Sequence, residues 1–292
     1  MSPNTESAPM ITVVIPAHNA AATLAEQLDA VLAQEFDEPF EVLVIDNNST
    51  DTTAALVLEY CRRDPRVLLQ TNADGRGPSY ARNAGIAAAR SERIACCDAD
   101  DIVASGWLSA MNTALEKHQA VAGVLEVASL NDAAIVAARG TTVGGTAGNF
   151  LGITFAHGAC FGIRRSTYHA VGGFDESLRA GEEIDLAIRL LAHQVEFVET
   201  PDAIVHYRYR TDPKDQWNQA FENGRIKPYV SKLSRDTQGL NPSRVEGLRN
   251  WVWLVRNVPK LKDPVVRLRW RWVLASRCGQ IAGCVRYKTV YL

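Results

Sequence analysis

A disulfide frame, a membrane span and an excess of one charge are all missing from this sequence. Six cysteines (Cys61, Cys96, Cys97, Cys160, Cys278 and Cys284) are scattered over 292 residues with no CxxC pair. Their spacing excludes a disulfide scaffold, and Cys96 and Cys97, adjacent in an apolar run, read as small core residues. No apolar run reaches the ~20 residues that span a bilayer. The first ten residues, polar with Pro3 and Pro9, lack the basic start and apolar stretch of a signal peptide. The expectation is a reducing, cytoplasmic location, with residues 1–9 as a disordered tail. No internal repeat is present. The formal charge, from 31 basic and 33 acidic residues, is only −2, which argues against a nucleic-acid binder held by bulk charge.

What is present is unevenly placed. Residues 244–292 hold eleven Lys and Arg against Glu246 and Asp263, a charge of +9, which leaves −11 for the first 243 residues. Trp251, Trp253, Trp270 and Trp272, four of six tryptophans, also lie there. The chain therefore joins an acidic body to a basic, tryptophan-rich end.

From Met10 to about Val127, short apolar strands alternate with helix-length amphipathic stretches, the pattern of a mostly parallel α/β sheet flanked by helices. Strands are expected at 11–15, 42–45, 67–69 and 93–97, and helices at 23–34, 52–62 and 79–89. Asp46 and Asp98 then stand at the carboxyl ends of strands, where open α/β sheets place their ligands. Residues 140–152, rich in Gly and Thr, read as a loop able to close over a ligand. Beyond lie expected strands at 160–163, 195–198 and 203–207, helices at 182–192 and 214–232, and a linker over 236–242. Two further helices, at 244–256 and 264–282, make a C-terminal helical extension. The division expected is a catalytic domain over 10–235 and a basic extension over 244–292.

The sharpest chemical signal is Asp98-Ala99-Asp100-Asp101. Alternate carboxylates past a strand end point the same way, so one can bind a hard divalent cation while the other hydrogen-bonds a sugar hydroxyl. The competing reading is that Asp100 or Asp101 caps the helix beginning near Ser105. A second acidic group opens the helix at Glu182-Glu183-Ile184-Asp185. Glu182 and Asp185 share a face at i, i+3, while Ile184, Ala187, Ile188 and Leu191 make the expected buried stripe. Spacing alone leaves open which carboxylate could serve as a general base.

Seven segments occur in a meaningful order: VVIPAHN (13–19), VIDNNSTD (44–51), ARNAG (81–85), DADD (98–101), GGFDE (172–176), GEEIDL (181–186) and VHY (205–207). Together they resemble the inverting family-two glycosyltransferases of GT-A fold, over about residues 10–210. The resemblance implies a nucleotide-sugar donor, UDP-linked by the family's default, and a glycan or lipid-linked acceptor. It implies a divalent metal, Mn²⁺ or Mg²⁺.

It further implies that Pro16, Ala17 and Asn19 line the nucleotide base, that Asp46 hydrogen-bonds it and that Asp98 meets the ribose. Asp100 resembles the metal ligand bridging to the diphosphate, His206 completes the metal site, and Arg82 lies near the donor phosphates. The resemblance points to Glu183 as base, with Asp185 in the same catalytic group, although Glu183 stands where the family usually has Asp. His157, Gly158, Gly173 and Glu182 are the expected sugar or acceptor pocket; Asp175 and Glu176 read as structural.

A nucleotidyltransferase is the first rival, but it typically carries a glycine-rich basic loop after the first strand, and Pro16-Ala17-His18-Asn19 offers none. A non-catalytic nucleic-acid-binding scaffold using the basic end is the second, and the acidic body opposes it. No nucleic-acid partner is expected. An anionic membrane surface suits the basic end better, because arginine and tryptophan on helices favour the headgroup region. The expected location is thus peripheral, on the inner face of the membrane.

Overall fold

The computed structural model of the protein describes residues 8–71, 75–139, 147–239 and 244–291. The apolar run at the start forms β1 (Ile11–Ala17), followed by α1 (Leu24–Leu32), β2 (Phe40–Asp46), α2 (Thr53–Arg63), β3 (Val67–Thr71), α3 (Pro78–Ala88) and β4 (Arg93–Cys97). These match the expected elements within a few residues at each end. Then come β5 (Ile102–Val103), α4 (Trp107–Lys117), β6 (Ala120–Glu126), α5 (Ala133–Arg139), β7 (Gly148–Phe150), β8 (Ile153–Phe155), β9 (Cys160–Arg164) and α6 (Arg165–Ala170). The chain continues through α7 (Glu182–Ala192), β10 (Val198–His206), α8 (Pro213–Gln238), α9 (Arg244–Asn257) and α10 (Pro264–Arg286).

Eight strands make one sheet in the order β3-β2-β1-β4-β9-β6-β10-β5. β1, β2, β3 and β4 are mutually parallel, as are β6 and β10, while β9 runs antiparallel to both its neighbours and β5 to β10. β2 is buried along its whole length, and so reads as a continuous apolar run rather than an alternating one. Its one acid inside the run, Glu41, accepts from Thr12 Oγ1 (2.7 Å), Arg90 N (2.8 Å) and Arg90 Nε (2.5 Å). Side chains of α1, α2 and α4 fill one face of the sheet; those of α3, α6, α7 and α8 fill the other. Cys96 and Cys97 point to opposite faces as core residues, and all six cysteines are free.

Strand order reverses between β1 and β4, so a crevice opens outside their carboxyl ends. Pro16 is tolerated inside a central strand because β4 pairs with β1 only as far as Val14.

Several expectations need correction. The two strands expected at 195–198 and 203–207 are one strand, β10, which absorbs Pro201 by a register irregularity between Glu199 and Ile204. Within the loop expected over 140–152, β7 and β8 pair as a hairpin; residues 140–146 lie outside the described residues. The linker begins late, because α8 runs on to Gln238 and stops at Gly239 with φ 69°. Of the tail expected over 1–9, residues 1–7 lie outside the described residues, while Pro9 is buried and Met10 N donates to Pro39 O.

α8 and α10 both begin at an Asp-Pro pair: Asp212 and Asp263 each cap two backbone N–H groups, with proline in the first turn. The two helices touch backbone to backbone. A methyl group on Gly224 would lie 2.0 Å from Ser276 O, and one on Gly279 2.0 Å from Phe221 O. α9 packs outside α10, with Leu254 buried and Trp270 Nε1 donating to Leu254 O at 2.9 Å. Arginines cover three of the four tail tryptophan rings: Arg139 over Trp272 (3.2 Å), Arg269 over Trp253 (5.2 Å) and Arg277 over Trp251 (5.5 Å). Among the described residues no helix is long and apolar enough to cross a membrane.

Candidate active site

At the carboxyl ends of β1 and β4 lies an open cleft of about 620 Å³. Of the expected site residues, Pro16, Ala17, Asn19, Arg82, Asp98, Asp100, Glu182 and Glu183 line it. Asp46, His157, Gly158, Gly173, Asp185 and His206 do not.

The wall after β1 and β2 is a pair of turns sewn together. Asn19, in the left-handed region with φ 50°, accepts from Thr50 N at 2.8 Å through Oδ1, and its own N–H donates to Ser49 Oγ at 2.9 Å. Asp46 is buried beneath this turn and accepts from Ser49 N at 3.2 Å. Its neighbour Asn47 is the residue that faces the cleft, donating to Gly75 O at 2.9 Å and accepting from Gly77 N at 2.8 Å.

The aspartate loop after β4 is held from α1. Gln27, fully buried, donates to Asp98 O at 2.8 Å and accepts from Val103 N at 2.9 Å, and Thr23 Oγ1 donates to Ala99 O at 3.1 Å. Carboxylate atoms of Asp98, Asp100 and Asp101 all come within 4.8 Å of one another. Burial, reinforced by Asp98, pushes the Asp100 carboxyl up to about 6. Burial and both neighbours push Asp101 well above the usual carboxylate range. Asp101 Oδ1 accepts from Arg208 N at 2.7 Å, while its buried Oδ2 has no hydrogen-bond partner. His206 stands apart from this group, its Nδ1 2.8 Å from Glu126 Oε2. Burial opposes ionisation of Glu126, but donors from Ser129, His206 and Ala128 outweigh it and hold its pKa near about 2.

Arg82 crosses under the cleft. Its Nη2 donates to Asp98 Oδ1 at 2.7 Å and its Nη1 lies 3.8 Å from Glu182 Oε1. Burial works against its charge, yet Asp98, Glu183 and Glu182 together hold its pKa above the ordinary arginine value. A Cβ at Gly158 would sit 2.5 Å from Arg82 Nη2, so a side chain there would displace the guanidinium from its place.

On α7, Glu182 is buried and its Oε2 has no hydrogen-bond partner. Burial, then the adjacent Glu183, raises its pKa to about 8 against the opposing pull of Arg82. Glu183, half-buried, accepts from Gly158 N at 3.3 Å. Asp185 turns away from the cleft: Arg189, one turn on, donates to its Oδ2 from Nε (2.9 Å) and Nη2 (2.6 Å). The buried apolar face of α7 is also shifted from the expected one: Ala187 and Ile188 are joined by Leu186 and Leu190, while Ile184 and Leu191 are only partly buried. Burial lowers the His157 pKa, with Glu183 opposing. Gly173 packs against Tyr168 and Asn83, and Asn83 ties this turn to α3 by donating to Phe174 O (3.0 Å) and Glu176 Oε1 (2.8 Å).

Residues the sequence reading passed over complete the lining: Tyr207, Arg208 and Arg210 after β10, and Asn218, Gln219 and Asn223 of α8.

Comparison with known proteins agrees with this geometry. A region of the succinoglycan biosynthesis protein ExoO of Rhizobium meliloti is 40% identical over 129 residues, 44% of this chain and 35% of that protein. The pre-mycofactocin glycosyltransferase of Mycobacterium tuberculosis is 25% identical over 259 residues, 85% of this chain and 53% of that protein. The chain thus spans between about a third and about half of the length of these relatives. In fold it is similar to a mannosyltransferase from Pyrobaculum calidifontis solved with GDP-mannose and Mn²⁺ (TM-score 0.62, 18% identity, 94% of this chain and 88% of that one). It is also similar to Staphylococcus aureus TarS residues 1–349 solved with UDP-GlcNAc (TM-score 0.52, 15% identity, 97% and 93%). The fold is GT-A, a curled, mostly parallel sheet flanked by helices. The family model described as Glycosyl transferase family 2 matches residues 12–172, and the chain belongs to that family.

Proposed function

We propose that this enzyme transfers a sugar from a nucleoside-diphosphate donor, UDP-linked as the first to test, to a hydroxyl of a glycan or lipid-linked saccharide, with inversion at the anomeric carbon. The observation that carries this reading is that Glu183 and the pair Asp98 and Asp100 line one cleft. Pro16, Ala17, Asn19 and Asn47 would flank the base, with Asp46 shaping the turn from below. Asp98 would meet the ribose, oriented by Arg82, whose buried ion pair makes it a positioning residue beneath the phosphates. Nucleotide sugars bound by the fold neighbours support this placement.

Oxygen donors suit a hard divalent cation, and the aspartates fit one: three carboxylates converge, with an orphaned buried oxygen on Asp101. Asp100, with Asp98 and Asp101 beside it, would hold Mn²⁺ or Mg²⁺. Such an ion, when bound, offsets the charge of a diphosphate leaving group. His206 would join through Nε2, since Glu126 engages Nδ1 in the manner by which carboxylates orient imidazole ligands.

Of the two α7 carboxylates that line the cleft, Glu183 is the more exposed, while buried Glu182, with its raised pKa, would keep its proton at neutral pH. Glu183 would take the acceptor hydroxyl's proton as that oxygen bonds to the anomeric carbon, and the departing nucleotide leaves with the electron pair of the broken C–O bond. Asp100→Ala and Glu183→Gln should each abolish transfer in an assay with added Mn²⁺. Wild-type rates in both would overturn the reading.

We take residues 10–235 as the catalytic unit and 244–292 as an extension packed on it through α8. Leu248, Val252 and Val255 are exposed and share the solvent side of α9, beside Arg249 and Arg256. That combination supports docking on an anionic membrane surface at its cytoplasmic face.

A further inference from the structure

A second pocket of about 250 Å³ adjoins the cleft and shares Arg179, Ala180 and Glu222 with it. Three parts of the chain build it: Ser177 and Arg179 in the segment leading to α7, Glu222 and Arg225 on α8, and Arg286 in the last turn of α10. Asp98, Asp100 and Asp101 are not among its walls.

Its charge is strongly one-sided. Three arginines face a single acid, and that acid is committed, because Glu222 Oε2 accepts from Arg225 Nη2. Among the described residues neither Arg179 nor Arg286 has an ion-pair partner. Two exposed guanidinium groups without a carboxylate partner thus line one polar pocket, Arg286 with its Cζ 5.7 Å from the Tyr287 ring centre, and arginine binds phosphate or carboxylate through paired N–H donors.

Position says which ligand carries that anion. Only Ala180 and Gly181 separate Arg179 from Glu182 and Glu183. On the reading above the donor's diphosphate would sit by the aspartates, which do not line this second pocket. We propose that this pocket is an anion subsite for the acceptor, taking a phosphate or carboxylate group on the acceptor saccharide while a neighbouring hydroxyl reaches Glu183. The proposal rests on the transferase reading above, and it makes the basic C-terminal helix, through Arg286, part of the acceptor site.

The test uses the full chain, Arg286→Gln and Ser177→Asp; both residues line this pocket and not the cleft. Thermal shift with UDP, GDP and dTDP plus Mn²⁺ comes first; no shift with any of them in the wild-type chain overturns the transferase reading itself. Protein saturated with whichever diphosphate binds is then titrated calorimetrically with inorganic phosphate, sodium glucuronate and glucose. Saturable binding of phosphate, glucuronate or both is expected, with glucose silent and affinity about tenfold weaker in each variant, the effect of one lost charge-assisted contact. Phosphate binding alone identifies a phosphorylated acceptor, and glucuronate binding alone a uronic acid. No saturable anion binding, or anion affinity unchanged from the wild type in both variants, overturns the subsite. So does a fall in nucleotide affinity by the same factor in Arg286→Gln, since the arginine would then serve the donor.

Discussion

Arg82 Nη2 donates to Asp98 Oδ1 at 2.7 Å, and this ion pair joins α3 to the aspartate loop from beneath the cleft. The arginine is almost wholly enclosed, whereas the aspartate keeps about a quarter of its side chain open (27%). Removing the cation leaves Asp98 and Glu182 facing each other across an apolar gap. Arg82→Met is therefore expected to destabilise the fold by about 3 kcal/mol, at the low end for a broken buried pair. Urea unfolding of Arg82→Met, Asp98→Asn and the double variant checks it. The double should lose clearly less than the two singles together; strict additivity would show that the pair is not coupled.

Glu182 sets a pH dependence whose sign follows from its raised pKa. Its folded-state value is about 8, against 4.5 for a glutamate free in water. Between those values the unfolded chain gives up this proton and the folded chain keeps it, so stability falls as pH rises through that window and levels off near pH 8. Glu182→Gln mimics the protonated form. It should match the wild type near pH 4.5 and exceed it at pH 8 in urea midpoint. Because Glu182 is not the proposed base, Glu182→Gln should also retain transfer, while Glu183→Gln loses about 10²- to 10⁴-fold. Parallel pH curves for wild type and Glu182→Gln would show that Glu182 ionises normally.

Much of this site is legible in the sequence where the signal is local. Asp98 and Asp100 lie next to a strand end, and Glu183 opens a helix, so neighbours in sequence are neighbours in the cleft. Asp185 went the other way for an equally local reason. Its i, i+3 relation to Glu182 suggested a shared catalytic face, but Arg189 at i+4 is the stronger partner, and the common helix-pair rule points to it. Arg208, Arg210 and the α8 residues were hidden because only the strand order, with β10 next to β6 and β5, carries them to the carboxyl end of β4. Pro201 disguised β10 as two strands, since register irregularities leave no trace in periodicity.

Metal addition should be visible without turnover. Burial first, and the neighbouring aspartates second, raise the pKa values of Asp100 and Asp101, and a bound cation would offset the charge of the crowded carboxylates. Mn²⁺ is expected to raise the melting temperature of the wild type by a few degrees through mass action, and EDTA to reverse it. Asp100→Ala should abolish the metal-dependent increment. An equal increment in Asp100→Ala would place the ion elsewhere.

The exposed stripe on α9 gives a lipid-binding prediction. Leu248 is 65% and Val255 71% exposed, beside Arg249 and Arg256. Full-length protein should co-sediment with vesicles containing phosphatidylserine and not with neutral ones. A Leu248→Ser, Val252→Ser, Val255→Ser variant should lose most of that binding while keeping its melting temperature, because these side chains meet solvent rather than α10. Pelleting unchanged by the triple substitution would assign the stripe no role at a membrane.

The seam between α8 and α10 makes the opposite prediction from helix propensity. Replacing a mid-helix glycine by alanine ordinarily stabilises a helix by about 1 kcal/mol. At Gly279 the added methyl would lie 2.0 Å from Phe221 O and 2.9 Å from Arg225 N, both backbone atoms that no side-chain rotation can move. The helices have to part, and overpacking of this kind costs about 1–3 kcal/mol. Gly279→Ala is therefore expected to lower the urea midpoint. The loss should be cooperative with the body, because α10 carries Trp272 onto Arg139 of α5 as well as its glycines onto α8. Probes in the two parts, tail tryptophan fluorescence and far-ultraviolet circular dichroism, should report one transition. A separate early tryptophan transition in the wild type would mean that the extension melts independently of the sheet it covers.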